Sequence, residues 1–253
     1  ISLMDGIVMG GGVGISLHGS HPVASERFMF AMPETGIGLF PDIGAGYLLS
    51  RCPGQFGVYL GLTGARLGAS DALELGLVKQ VIPSESFQGL LTMLIEMDLS
   101  NEAHNRIDAC FQRFTGPIHL APIMNLKTDV DACFNHHDVE AIIETLTDAG
   151  GEWHRETVTS LRQKSPLSLK VTLAQIQKSK TMSLTDCLKM DYCLVGHFMH
   201  DHDFYEGVRA LLIDKDKTPH WQPNSLSAVS RSKVADYFEY GQPELPFIMR
   251  EKN

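Results

Sequence analysis

The chain has 253 residues, 43% of them hydrophobic and 20% charged. That is enough apolar material to bury one or two cores, and it excludes wholesale disorder. A formal net charge of −9 with no long basic run excludes a clustered positive face for nucleic acid, while helix N-termini and backbone amides remain available to an anionic ligand.

The chain opens on Ile1 rather than Met. Ile1 to Met4 reads as a strand running directly into a glycine-rich turn, and this mid-pattern start leads us to expect missing upstream chain. Met9-Gly10-Gly11-Gly12-Val13-Gly14 is that turn, and Gly11 to His18 reads as the helix it opens. Glycine lets the backbone bend sharply and lets a ligand approach the amides, and the helix N-terminus adds positive partial charge. A plain strand-to-helix turn is the bland alternative. A dinucleotide fingerprint fails, because Ile15 stands where its third Gly or Ala belongs.

Further strands are expected at Pro22 to Ala24, Phe28 to Ala31 and Leu77 to Ile82. Directly after the expected strand Phe28 to Ala31 comes Met32-Pro33-Glu34-Thr35-Gly36-Ile37-Gly38. Here a carboxylate sits among apolar neighbours, a setting that desolvates an acid and raises its pKa. Eight residues later Phe40-Pro41-Asp42-Ile43-Gly44 repeats the motif. Asp42 also suits an N-cap for a helix beginning near Ile43. Ser70 to Glu74 reads as a short capped helix stopped by Gly76. Alternating strands and helices over residues 1–83 indicate an α/β layer arrangement.

From Ser84 the pattern is helical. Val139, Ile142, Ile143 and Leu146 have helical spacing within Asp138 to Ala149. Ser165-Pro166 suits an N-cap with Pro at the first helical position, and Ser183 to Asp186 suits a capping box. The tail from Asp214 carries Pro219, Pro223, Pro243 and Pro246 and is expected to be extended and partly loose. The expected organisation is therefore 1–83, a helical region 84–230, and an extended tail 231–253.

Other clusters carry less. His200-Asp201-His202-Asp203 reads as a solvated helix end, because neighbours one and two apart on a helix do not converge on a metal. His136-His137 is read the same way. Glu206 and Arg209 are spaced for a helix ion pair. Cys52, Cys110, Cys133, Cys187 and Cys193 lack paired spacing and read as reduced thiols of a cytosolic or matrix compartment. No apolar stretch reaches the roughly 18 residues of a membrane span, and no secretory signal or transit peptide is visible.

The glycine turn, Pro33-Glu34-Thr35-Gly36-Ile37-Gly38 and Pro41-Asp42-Ile43-Gly44 together resemble the crotonase superfamily of acyl-coenzyme-A enzymes. Met32 to Thr35 followed by Phe40 to Asp42 resembles its 3-hydroxyisobutyryl-CoA hydrolases. So do Leu62 to Gly64, Ser165 to Gln175, Asp203 to Ala210, Leu212 to Asp216 and the Trp221-x-Pro223 stretch.

The resemblance implies an α/β crotonase-like spiral of ββα units, N-terminally incomplete, with a helical C-terminal region. It implies that the Gly11 amide stabilises a thioester oxyanion and that Glu34 and Asp42 are the catalytic, substrate-contacting pair. Hydratases of the superfamily carry a second Glu where this chain has Gly14, which disfavours water addition. The implied reaction is hydrolysis of 3-hydroxyisobutyryl-CoA to 3-hydroxyisobutyrate and CoA, in valine breakdown. Glu34 either attacks the carbonyl or activates a water that does. Coenzyme A is part of the substrate, and no separate cofactor, metal, nucleic acid or membrane is expected. A homo-oligomer is compatible with the resemblance. The implied location is cytoplasmic in a bacterium and the mitochondrial matrix in a eukaryote. The missing N-terminal part would supply the first oxyanion N–H, much of an adenine-binding loop and another acid. An enoyl-CoA hydratase or isomerase and a non-catalytic acyl-CoA-binding protein stand as alternatives.

Overall fold

A computed structural model describes residues 1–116 and 120–239. In its first part, strands come in pairs that feed two sheets. Strand β1 (Ser2–Met4) and strand β2 (Ile7–Met9) are separated by a bend at Gly6 and enter different sheets. Helix α1 (Gly11–Ser16) follows. The next pair, β3 (Pro22–Ala24) and β4 (Met29–Ala31), divides in the same way. β3 lies parallel to β1, with Leu3 opposite Val23, and β4 lies parallel to β2, with Val8 opposite Phe30. Each turn of chain thus gives one strand to each sheet before a helix returns it, as a ββα spiral requires.

After β4 come a 3-10 turn (Glu34–Ile37), α2 (Ala45–Leu49), α3 (Phe56–Thr63), β5 (Leu67–Gly68), α4 (Ala69–Glu74) and β6 (Gln80–Val81). β5 joins β4 antiparallel and β6 joins β3 parallel. The expected strand Leu77 to Ile82 shrinks to Gln80–Val81, because the amides of Leu77 and Val78 both turn back to Ala72 O and finish α4. The strand feeding the glycine turn is Ile7–Met9, not Ile1 to Met4. Ser70 is not the cap of α4. Gly68 holds that place, and the Asp71 carboxylate accepts from its amide at 3.4 Å.

Among the described residues every element after Val81 is helical. α5 (Phe87–Glu96) and α6 (Ala103–Gln112) form a small satellite core with Val23 and Ile82. α7 (Lys127–Cys133), α8 (Val139–Ala149), α9 (Glu152–Arg162) and α10 (Pro166–Ser179) share one apolar core with the strands and with α3, all of whose residues are buried. The change of texture after position 83 therefore crosses a shared core. α11 (Leu184–Phe198) and α12 (Asp203–Val208) complete the region. Asp138, Ser165 and Ser183 cap α8, α10 and α11 through their side chains.

Two expectations about the C-terminal end are corrected. The described part of the tail is packed: Trp221 donates to Gln163 O at 3.0 Å, and Val229 and Tyr237 are buried. Residues 231–239 are not extended but carry a last helix, α13 (Arg231–Asp236), capped by Ser230. Pro243 and Pro246 lie outside the described residues. Nor is the 200–203 stretch wholly a solvated helix end, because Asp203 is fully buried. It accepts from Ser165 Oγ at 2.6 Å and from the Gln222 amide at 2.7 Å, which makes desolvation tolerable. The expected Glu206–Arg209 pair forms, and Asp214 and Asp216 join it.

Candidate active site

Glu34 is placed by a buried strand and a tight turn. Phe30, Ala31 and Met32 are inaccessible, and the chain turns at Pro33. The Gly36 amide donates to Pro33 O and the Leu39 amide to Glu34 O, which holds the turn. Thr35 anchors it by donating to Leu62 O at 3.0 Å. From the other side α12 presses in so closely that a Cβ on Gly38 would lie 2.2 Å from Asp203 O, and one on Gly207 2.3 Å from Ile37 O. Only hydrogen fits at either position.

The carboxylate so placed is 5% exposed. Its Oε1 lies 3.6 Å from where a Cβ on Gly10 would stand, and its buried Oε2 has no hydrogen-bond partner among the described residues. Burial pushes its pKa up to about 8; its own backbone amide opposes the rise and the charge of Asp42 adds to it. A carboxylate with a free oxygen and a pKa near physiological pH is suited to proton transfer or attack.

The glycine turn faces this acid. Gly10 takes a positive φ of 49°, which redirects the chain from β2 into α1. In the first turn of α1 the Val13 amide donates to Gly10 O at 2.9 Å, whereas the Gly11 and Gly12 amides have no carbonyl one turn back to bond.

Asp42 lies on the next loop. It is half-buried, and burial raises its pKa. It does not cap a helix: α2 begins at Ala45, with Gly44 in the left-handed region at its N-cap. The loop is unusual at Ile43, a β-branched residue with φ 58°. Ile43 leans over α1, where its Cδ1 is 4.0 Å from a Cβ position on Gly11. The loop that carries Asp42 thus reaches the glycine turn that faces Glu34.

Sequence reading missed what holds this loop. His18 Nε2 donates to Ile43 O at 2.8 Å. Asp191, on α11 and 4% exposed, accepts from the Gly44 amide at 2.7 Å. Gln175 Nε2, on α10 and fully buried, donates at 2.8 Å both to Pro41 O and to the other oxygen of Asp191. Burial raises Asp191 to about 7; the Gly44 and Gln175 bonds oppose this and the Asp42 charge adds to it. The signal was present: Cys187, Asp191, Leu194 and Phe198 form a helical stripe in which an acid sits among buried residues. Among the described residues, no group of three or more His, Cys, Asp or Glu is placed to hold a metal.

With this geometry in place, comparison with known proteins identifies the class. The chain belongs to the Enoyl-CoA hydratase/isomerase family, whose sequence pattern matches residues 1–238. Within it, the chain is 39% identical to the mitochondrial 3-hydroxyisobutyryl-CoA hydrolase of Rattus norvegicus, covering 98% of this chain and 65% of that one. It is 41% identical to 3-hydroxyisobutyryl-CoA hydrolase 1 of Arabidopsis thaliana, covering 94% and 65%. It thus spans just under two thirds of the length of these relatives. Among solved structures, a carnitinyl-CoA dehydratase from Mycobacterium thermoresistibile superimposes with a TM-score of 0.88 at 32% identity, over 98% of this chain and 70% of that one. An enoyl-CoA hydratase from Rhodobacter sphaeroides gives 0.80 at 33%, over 94% and 67%. The crotonase-like α/β fold is therefore established.

Proposed function

We propose that the chain carries the catalytic acids of a 3-hydroxyisobutyryl-CoA hydrolase. The observation that carries this reading is the buried Glu34 carboxylate beside the glycine turn, with one oxygen unpartnered among the described residues and the charge of Asp42 acting on it. Relatives of that name at about 40% identity support the substrate. The Gly11 amide donates to the thioester oxygen as negative charge develops on it. Ionised Glu34 either attacks the thioester carbon, expelling CoA thiolate and leaving an anhydride for water to open, or removes a proton from a water that attacks. Asp42 orients the substrate hydroxyl or the water. Coenzyme A enters as part of the substrate, and the reaction asks for no other cofactor. The location follows the source: the mitochondrial matrix in a eukaryote, the cytoplasm in a bacterium.

A hydratase or dehydratase reading has the solved neighbours' names in its favour. Against it stands position 14, where a second carboxylate would project into space filled by Ile43. The test is release of free thiol from 3-hydroxyisobutyryl-CoA, by this chain and by a form extended to its relatives' length, with an enoyl-CoA offered in parallel. Thiol release that disappears in Glu34→Gln supports the hydrolase. Turnover of the enoyl-CoA alone would favour the hydratase reading. Turnover of neither by folded protein would leave a binding protein.

A further inference from the structure

The Asp42 loop is held by a buried polar cluster supplied by the helical region. We propose that Asp191 is a positioning residue of the thioesterase site: with Gln175 it holds the Pro41–Gly44 loop in the strained form that aims Asp42 at the space beside Glu34. This deepens the hydrolase reading and rests on it.

Several observations converge on Asp191. It is an acid at 4% exposure with no cation bonded to it among the described residues, a costly arrangement unless its oxygens are satisfied. Both are satisfied, and by the loop. One oxygen takes the Gly44 amide, and the other takes a Gln175 N–H whose nitrogen also bonds Pro41 O. The two contacts bracket Asp42 and Ile43 from either side.

The residue between those contacts needs the restraint. Ile43 sits at φ 58°, where a β-branched side chain is disfavoured and persists only if its surroundings enforce it. His18 Nε2 donates to Ile43 O, so the loop is held at Pro41, Ile43 and Gly44. Between them lies Asp42, whose side chain bonds no other residue among the described ones. Its charge raises the pKa of both Glu34 and Asp191, alongside the burial that dominates each. Cys187, Arg51, Asp186 and Tyr47 also lie near the cluster, and among the described residues none of their side chains bonds the loop.

Asp191→Asn is a discriminating change. The Gly44 amide and the Gln175 N–H both donate, so Asp191 must accept twice. An asparagine accepts with one end and donates with the other. Turning the Gln175 amide to receive that donor would aim its oxygen at Pro41 O. Either way one restraint is lost, at nearly constant volume.

The experiment measures thiol release from 3-hydroxyisobutyryl-CoA by the extended protein as wild type, Asp191→Asn, Asp42→Asn and the double variant. The expected result is a fall in kcat of about 10- to 100-fold for Asp191→Asn, the scale of a small misplacement of a reacting group, with KM changed less than about threefold. The double variant should be no slower than Asp42→Asn alone, because Asp191 acts through Asp42. Unchanged kcat, or losses that multiply in the double variant, overturns the proposal. If Asp191→Asn does not fold, Gln175→Leu, which keeps the Gly44 bond, must show the same kcat-selective and non-multiplying loss, and its failure to do so also overturns it. Absence of thiol release from wild type defeats the hydrolase reading instead. The inference is then decided by hydrogen exchange at the Gly44 amide, whose protection must drop in Asp191→Asn while the α11 amides keep theirs.

Discussion

Ile43 Cγ2 lies 1.8 Å from the point where a Cβ on Gly14 would stand, and Ile43 Cβ lies 2.9 Å from it. No side chain fits at position 14 while Ile43 keeps its place, and Ile43 is the neighbour of Asp42. The missing second carboxylate and the strained Asp42 loop are thus one feature seen from two sides. Gly14→Ala should cost about 1–3 kcal/mol, the range for forcing an extra carbon into a packed site, and should lower thiol release by displacing Asp42. Adding Ile43→Gly should restore most of the stability, since glycine vacates the space and accepts the positive φ. Urea unfolding of the two variants checks this. Equal losses in both would show that Ile43 is not the obstacle.

Glu34 makes stability depend on pH with an inverted sign for a carboxyl. Its folded pKa is about 8 against an ordinary 4.5, so the native state holds a proton that the unfolded chain has released. Below about 4.5 both states are protonated and nothing is lost. Between about 4.5 and 8 stability falls as pH rises, by up to ~1.4 kcal/mol per unit from this group. Above about 8 the loss is complete. Asp191, raised to about 7, acts in the same direction from a lower starting point. Glu34→Gln should therefore unfold at higher temperature than wild type at pH 9 and nearly with it at pH 4. A constant difference between the two across that range would contradict the buried, protonated state of Glu34.

The same titration separates two chemistries. As nucleophile or general base, Glu34 must be ionised, so kcat/KM for thiol release should rise with pH and level off above about 8. As a proton donor in an isomerase, it must be protonated, and activity would fall over that interval. A profile from pH 6 to 9.5 on the extended protein distinguishes them.

What was legible in the sequence follows from range. Glycine and proline act locally, so the turn at Gly10, the caps at Ser165 and Ser183, and the Glu34 and Asp42 motifs could be read from neighbours in the chain. Strand ends were misread at Leu77 because closing α4 depends on bonds back to Ala72. The loop clamp was missed because its parts come from far apart: Asp191 meets Gly44 across 147 positions and Gln175 meets Pro41 across 134. Periodicity marks Asp191 as buried, but not what it is buried against. The 203–210 motif was legible only through resemblance. Its physical content, Asp203 and Gly207 wedged against the turn of Glu34, needs the three-dimensional contact.

Two serine caps offer a closing contrast. Ser165 and Ser183 each accept from the amide three residues on and begin long helices. Ser183 is exposed, and its hydroxyl donates to the exposed Asp186. Ser183→Ala should cost about 1 kcal/mol, the worth of the cap, and leave thiol release unchanged. Ser165 is fully buried, its hydroxyl donates to the buried Asp203, and its amide donates to Thr35 O beside Glu34. Ser165→Ala removes the cap and also a donor to a desolvated carboxylate, a further ~1.5–3 kcal/mol. Asp203 abuts Gly38, so the disturbance should reach the turn that carries Glu34. The expected outcome is a larger drop in unfolding free energy than for Ser183→Ala, together with a measurable fall in kcat. Equal destabilisation in the two variants, with full activity in both, would mean that α12 supports the fold without positioning the acid.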